Sequence, residues 1–437
     1  MIRLISVTGV CAVVALTALP VAANPTLRIS VGPHGRQANE YSQASDISAN
    51  GRWVAFSSFA TNLVPGSHGD EDVYLRDLQL GRTVLVSLGA GGSRGNNGSF
   101  NAQVSADGRF VCFPSFATNL VPGDRNGETD IFLRDRRLGT TTRITVDSKG
   151  REARGTTFDC DISANGRFIV FDSAAGNLVP GDTNDDFDIF LRDRIAGTIS
   201  RVSLGLNGEQ TRGGFCIEPS LSDDGRFLVF EASAENLVSD GFGLGANIYV
   251  RDLRRGVNIL ASRGMGGTPI DVGAFDPAIS ANGRFVAFSS NSTNLVPHDT
   301  NDIDDVFVFD RVTQQTSRVS VATDGSQADE ASLTPKISAD GRFVVFTSYA
   351  DNLVPGDTND AADVFVRDRA KGTTERVSVG SRRQQGDGRS EFHFAIAPDG
   401  AFTVFTSEAD NLVPNDTNGT WDVFLHQTPK PAGPAGR

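Results

Sequence analysis

Cysteine is scarce in this chain: 437 residues contain four, and Cys11 falls in an N-terminal segment set apart below. The remaining Cys112, Cys160 and Cys216 are too few for a disulfide-built scaffold. Cys112 stands where sister segments carry Ala or Val and reads as a small core residue, whereas Cys160 and Cys216 fall near the starts of neighbouring strands and could meet. Histidine is equally sparse, and His34, His68, His298, His393 and His426 show neither zinc-site nor triad spacing. Positive charge is in deficit, with 40 Lys and Arg against 53 Asp and Glu and a formal net charge of −13. Such a surface repels nucleic acid and anionic membranes and favours cations or basic partners. No Gly-Lys-Ser/Thr phosphate loop occurs. The one Gly-x-Ser-x-Gly match, Gly91–Gly95, sits in a Gly/Asn-rich loop with no helix after it, so it is not a nucleophile elbow.

Long apolar runs are missing beyond the first residues. Residues 1–23 combine a basic start at Arg3, an apolar core and the small residues Val21-Ala22-Ala23 before Asn24, the pattern of a secretory signal peptide. Its removal would take away one positive charge and change the net from −13 to −14. An extracytoplasmic protein, periplasmic or secreted and without a membrane span, is therefore expected.

What the chain has in abundance is glycine, 47 residues, and a repeat. Aligned turn glycines recur at Gly51, Gly108, Gly166, Gly225, Gly283, Gly341 and Gly400, spaced by 57 to 59 residues. Such regularity marks tandem copies of one supersecondary unit. In each copy an aliphatic residue four before the glycine (Ile47, Val104, Ile162, Leu221, Ile279, Ile337, Ile396) ends a first strand. Asn-Gly or Asp-Gly then suggests a two-residue hairpin with positive φ at both positions. The second strand reads as apolar throughout, as at Phe285–Phe288, and so must be covered on both faces. A third strand such as Asp363–Asp368 and a fourth such as Thr374–Val379 complete the unit.

Four-stranded units packed face to face around an axis predict an all-β fold, a seven-bladed β-propeller over residues 24–428. Thr26–Val31 reads as a fourth strand lacking a first, and the seventh copy stops at its third strand, Asp422–Gln427. The N-terminal strand is thus expected to close the ring. Residues 429–437 form a Pro-rich tail expected to be disordered. The pieces at Ile337–Phe346, Asp363–Arg369 and Glu375–Val379 resemble the TolB-type, WD40-like propeller repeats of exported bacterial proteins, over about residues 26–428. That resemblance implies a propeller serving as a binding platform or as an enzyme scaffold, with a six-bladed TolB-like count as the alternative to seven.

Three constellations could carry chemistry. Arg52, Arg109, Arg167, Arg226, Arg284 and Arg342 open the second strands, and Asp77, Asp135, Asp193, Asp252, Asp310 and Asp368 close the third. Those ends are adjacent in an antiparallel pair, and the seventh copy loses both partners at once, with Ala401 and Gln427, so structural ion pairs are expected.

Between strands two and three, five copies carry Asp-x-Asn-x-x-x-Asp: Asp124/Asn126/Asp130, Asp182/Asn184/Asp188 (with Asp186 between), Asp299/Asn301/Asp305, Asp357/Asn359/Asp363 and Asp416/Asn418/Asp422. Alternating oxygen ligands on a tight loop suit a hard cation, so calcium is the cofactor these loops suggest. The same residues equally serve as turn formers that bond their own backbone.

First strands line a propeller's axis. Positions seven before the glycine (Ala44, Asn101, Asp159, Glu218, Asp276, Thr334, His393) and five before it (Asp46, Gln103, Asp161, Ser220, Ala278, Lys336, Ala395) are expected to face the channel. Asp159, Glu218 and Asp276, with His393, make the channel mouth the candidate ligand site, against the plainer reading of a solvated polar rim. The expectation is a monomeric, non-catalytic platform for an extracytoplasmic protein or glycan. The alternative is a polysaccharide hydrolase or lyase built on the three acids.

Overall fold

The computed structural model describes residues 26–239 and 245–428. The expected signal peptide at 1–23 and the tail at 429–437 lie outside the described residues. Among the described residues twenty-eight strands form seven four-stranded antiparallel sheets. Blade three is representative, with strands Cys160–Ile162, Phe168–Ser173, Asp188–Asp193 and Thr198–Arg201 in that spatial order. Blade seven takes three strands from the C-terminal end, Ser390–Ile396, Phe402–Ser407 and Asp422–Gln427. Its fourth is Thr26–Arg28, paired antiparallel with Asp422–Gln427. Ring closure by the N-terminal strand and the count of seven are as the repeat predicted. The closing strand is shorter than expected, and fourth strands generally end at an arginine, Arg376 in blade six, instead of running on to Val379.

The core consists of seven hydrophobic clusters, one at each interface between neighbouring blades. The cluster at the closure joins Ile47, Val54 and Phe56 of blade one to Val404, Val423 and Leu425 of blade seven. This is why strand two has few polar positions: both of its faces are blade interfaces. Each blade also places one aromatic pair across strands two and three, such as Phe171–Phe190 with ring centroids 5.7 Å apart and Phe288–Phe307 at 5.9 Å. Aromatic pairs of this kind contribute about 0.5–1.5 kcal/mol beyond their buried area.

The hairpin differs from expectation. Only the glycine has positive φ, between 65° and 77° in the seven copies, and the preceding Asn or Asp does not. Gly283 N bonds Ser280 O at 2.8 Å, and the Asn282 side chain accepts from Arg284 N at 2.9 Å and from Ser280 Oγ at 2.8 Å. Asn and Asp are there for their side-chain acceptor, not for left-handed backbone. The glycine is doubly constrained, because a Cβ on Gly283 would lie 2.2 Å from Phe227 of the preceding blade.

The cysteines also differ. All three are free and buried, and Cys160 lies beside Cys112 of blade two, not beside Cys216.

Candidate functional site

The three constellations separate clearly. At the lower edge each expected Arg–Asp pair forms, with Arg52 Nη2–Asp77 Oδ2 at 2.6 Å and Arg342 Nη2–Asp368 Oδ2 at 2.6 Å. A second bond from Nε makes these pairs bidentate. The bond from Arg167 holds Asp193 down at about 2. Guanidinium groups lie over the aromatic that opens strand two, as Arg109 does over Phe110 at 4.5 Å from the ring centroid. The same aspartates also satisfy backbone amides of the turn that follows: Asp193 Oδ1 accepts from Ile195 N at 3.0 Å. These pairs fasten blades.

The acidic loops are organised around an internal cation. The arginine ending the fourth strand reaches both aspartates of its loop. Arg143 lies 3.1 Å from Asp124 and from Asp130; Arg201 lies 2.9 Å from Asp182 and 3.3 Å from Asp188. Arg318 lies 2.9 Å from Asp299 and 3.0 Å from Asp305; Arg376 lies 2.8 Å from Asp357 and 2.9 Å from Asp363. In blade seven the N-terminal strand supplies the cation, Arg28, 2.9 Å from Asp416 and 3.6 Å from Asp422. Asn126, Asn184, Asn301, Asn359 and Asn418 turn their amide N–H toward the second aspartate, at 3.0 to 3.5 Å. Asp186 joins no ion pair among the described residues. Burial raises Asp124, Asp357 and Asp416 to about 6, with the neighbouring guanidinium opposing it.

Blades one and four provide the internal control. Their sequences lack the loop motif, and the arginine position is occupied by Leu85 and Leu260. The full motif and the arginine are lost together; where blade one keeps the second aspartate, Asp72, Arg94 from the following loop lies 3.5 Å from it, and blade four has Asn247 there. Calcium would have to displace the loop arginine.

The channel is a cavity of about 480 Å³ whose wall includes Asp159, Glu218, Asp276, Asp46, Asp161 and Lys336. The three acids expected at the mouth do line it. Two other expectations are corrected. Ala44 is 1% exposed and packs in the core between blades seven and one. Blade seven presents Phe394 and Ala395 to the channel, not His393. Burial and then the Lys336 charge lower His393 to about 4, so it is neutral at physiological pH.

The reason is a bulge. Strand one shifts register between Ala44 and Asp46, Ile217 and Ser220, Phe275 and Ala278, Leu333 and Lys336, and Ser390 and Phe394. An extra residue breaks the alternation on which the two-position argument rested. Glu218 and Asp276 take φ of 53° and 54°, and Asn101 and Thr334 at the same repeat position take 43° and 50°, so the left-handed backbone belongs to the repeat and not to the acids. Pro219, Pro277 and Pro335, inside what otherwise read as strands, are the sequence signal of this interruption.

Two acids escaped the sequence reading, Asp172 and Glu231. They occupy the second-strand position at which other copies have Ser57, Pro114, Ser289, Thr347 and Thr406. Asp172 is 1% and Glu231 6% exposed. Asp172 Oδ1 accepts from Phe158 N at 2.9 Å and Asp159 N at 3.1 Å and takes a further bond from Glu218 N, while Glu231 accepts from Asp276 N. Asp276 in turn accepts from Ser289 Oγ at 2.5 Å and Thr334 N at 3.3 Å. The result is a chain of five carboxyl groups through blades three, four and five. Burial, followed by mutual repulsion, raises Asp172 and Glu231 to about 7 and Glu218 to about 8. Lys336 is the one Lys or Arg in the channel wall, and it only partly offsets them. Among the described residues no three of these groups are arranged as ready metal ligands.

Asp46 and Asp161 have a different role. Asp46 accepts from Ile47 N at 2.7 Å and from Val104 N of the next blade at 2.8 Å. Asp161 repeats this with Ile162 N at 2.6 Å and Leu221 N at 2.7 Å. Both brace one blade against the next.

Fold and site together define a closed seven-bladed β-propeller with an acidic channel. No known family model and no curated protein matches the chain. Among solved structures it is similar to the β-propeller domain of the Trilobed protease from Pyrococcus furiosus, with a TM-score of 0.54, 11% identity, and 89% of this chain and 96% of that one covered. An oligogalacturonate lyase in complex with manganese gives a TM-score of 0.54 at 12% identity, covering 93% of each chain. A putative TolB from Agrobacterium tumefaciens gives 0.40 at 15% identity, covering 75% and 90%. At these identities the likeness extends to the fold alone. No helix among the described residues is long and apolar enough to cross a membrane.

Proposed function

We propose that this protein is an exported, non-catalytic binding propeller whose ligand site is the acidic side of its channel mouth, and that the site takes a cationic group. One observation carries the reading. Asp159, Asp172, Glu218, Glu231 and Asp276 are gathered in three successive blades, with Lys336 the one Lys or Arg in the channel wall. Gathering carboxyl groups without a cation costs free energy, visible in their raised affinity for protons, and an entering cation recovers that cost. Export rests on the leader-like residues 1–23. Calcium enters this reading only as a competitor of the loop arginines, because the space between each aspartate pair is already bridged.

The test is calorimetric titration with the tri-cation spermidine. Wild type should bind, and Glu218→Gln with Asp276→Asn should abolish the heat; an absence of binding to wild type overturns the proposal. A second reading is favoured by one feature, a Glu218 that keeps its proton near neutral pH, as a general acid must. It would make the channel mouth the active site of a polysaccharide hydrolase or lyase. Turnover of a polysaccharide panel by wild type, lost in Glu218→Gln, would establish that reading instead.

A further inference from the structure

Beside the channel mouth, blades one to three carry a lip of three aromatic pairs, each with one exposed and one half-buried ring. Tyr41–Phe59, Phe100–Phe116 and Phe158–Phe187 have ring centroids 6.2, 5.9 and 5.5 Å apart. Phe59, Phe116 and Phe158 are 39%, 44% and 46% exposed. Phe100 and Phe158 directly precede Asn101 and Asp159 of the channel wall, so these two residues adjoin the wall without lining the cavity. Isolated exposed aromatics need no explanation, but paired rings on three successive blades beside an acidic mouth do.

The rest of the molecule shows what such rings and acids hold. At the lower edge every aromatic opening strand two from Trp53 to Phe343 lies under a guanidinium, with Arg136 3.6 Å from the Trp53 centroid and Arg311 3.9 Å from Phe227. In the acidic loops a guanidinium bridges each carboxylate pair, as Arg201 does between Asp182 and Asp188. The lip has the rings and the neighbouring carboxyl groups, yet none of the guanidinium–ring contacts of the described chain involves a lip ring.

We infer that the aromatic lip of blades one to three and the carboxyl groups of blades three to five form one docking surface for a basic peptide segment of a partner protein. Its arginine or lysine side chains stack on the rings and enter the acidic mouth. The inference rests on the channel reading above and adds the partner's class to it. Charge complementarity selects this occupant: the chain carries a formal net charge of −13, and a neutral glycan would stack on the rings but leave the carboxyl groups without a cation. Cation–π contact is worth about two- to five-fold in affinity per exposed ring, more once the site is closed to water.

The experiment is fluorescence anisotropy of a labelled oligo-arginine peptide, with a labelled oligo-glutamate peptide and labelled cellohexaose as comparisons. Wild type should bind oligo-arginine alone. Phe116→Ala with Phe158→Ala should weaken binding about ten-fold, and Glu218→Gln with Asp276→Asn should remove it. Because these rings are exposed, melting curves should stay at the wild-type position; Phe59→Ala provides a second variant. Undiminished oligo-arginine binding after ring removal, with spermidine still bound at the channel, would overturn the docking surface and leave the channel reading intact. Failure of both oligo-arginine and spermidine to bind wild type would overturn both. Binding of cellohexaose in place of oligo-arginine, lost with the same rings, would overturn the peptide in favour of a glycan.

Discussion

Replacing Arg201 by leucine tests whether the acidic loops exist for their arginine. The side chains of Arg201, Asp182 and Asp188 are 9%, 5% and 0% exposed. Removing the cation leaves two buried carboxylates facing each other, and breaking a buried pair in this way costs about 3–5 kcal/mol. With an unfolding entropy near 2.1 cal/mol/K per residue over roughly 400 residues, that corresponds to a fall in melting temperature of about 4–6 °C. Blade four shows how the loss is tolerated: there Leu260 replaces the arginine, and Asn247 still accepts from Ser262 Oγ at 3.1 Å, as Asp188 accepts from Ser203 Oγ. Adding Asp182→Ser and Asp188→Asn to Arg201→Leu should therefore recover most of the stability. Arg167 is the comparison, since its side chain is 44% exposed at the rim and Arg167→Leu should cost only about 0–1 kcal/mol from its ion pair. Denaturant midpoints with unchanged m-values supply the assay. A loss in Arg201→Leu no larger than in Arg167→Leu, or a triple variant no more stable than the single, would refute the clamp.

Calcium should shift the melting curve of wild type no more than that of Asp182→Ala plus Asp188→Ala; a rise that the double variant abolishes would restore the metal reading of the loops. Glu218 has a folded pKa of about 8, above its unfolded value, so its contribution favours folding at low pH and is lost as pH rises through about 8. Denaturation midpoints should accordingly fall from pH 5 to pH 9, and Glu218→Gln should flatten that fall. Gly283→Ala should cost about 2–5 kcal/mol, because it adds a Cβ at φ 68° that meets Phe227 at 2.2 Å; a neutral effect would contradict the packing of the turn against the preceding blade.

The architecture was legible because it repeats. Seven turn glycines, the orphan strand at Thr26 and the joint loss at Ala401 and Gln427 are each visible as a pattern within one chain, and each corresponds to a contact in the fold. The site was half legible, for physical reasons. Period-two alternation places side chains only while the ladder is continuous, so the register shifts between Ala44 and Asp46 and between Ser390 and Phe394 misassigned Ala44 and His393. Asp172 and Glu231 were hidden inside a strand read as apolar, although each is the acidic exception in an aligned column of small residues. The arginine of the acidic loops lies thirteen residues beyond the second aspartate, on another strand, as from Asp188 to Arg201. No local motif shows that pairing, but its absence from blades one and four does.

The central claim, that buried carboxyl groups at the channel mouth await a cation, is tested most directly by the pH dependence of spermidine binding. If the groups held at about 7 and 8 must lose protons to bind, affinity should rise several-fold between pH 5.5 and pH 8, and Glu218→Gln should suppress the rise. An affinity that does not change over that range, or that changes equally in the variant, would contradict the account.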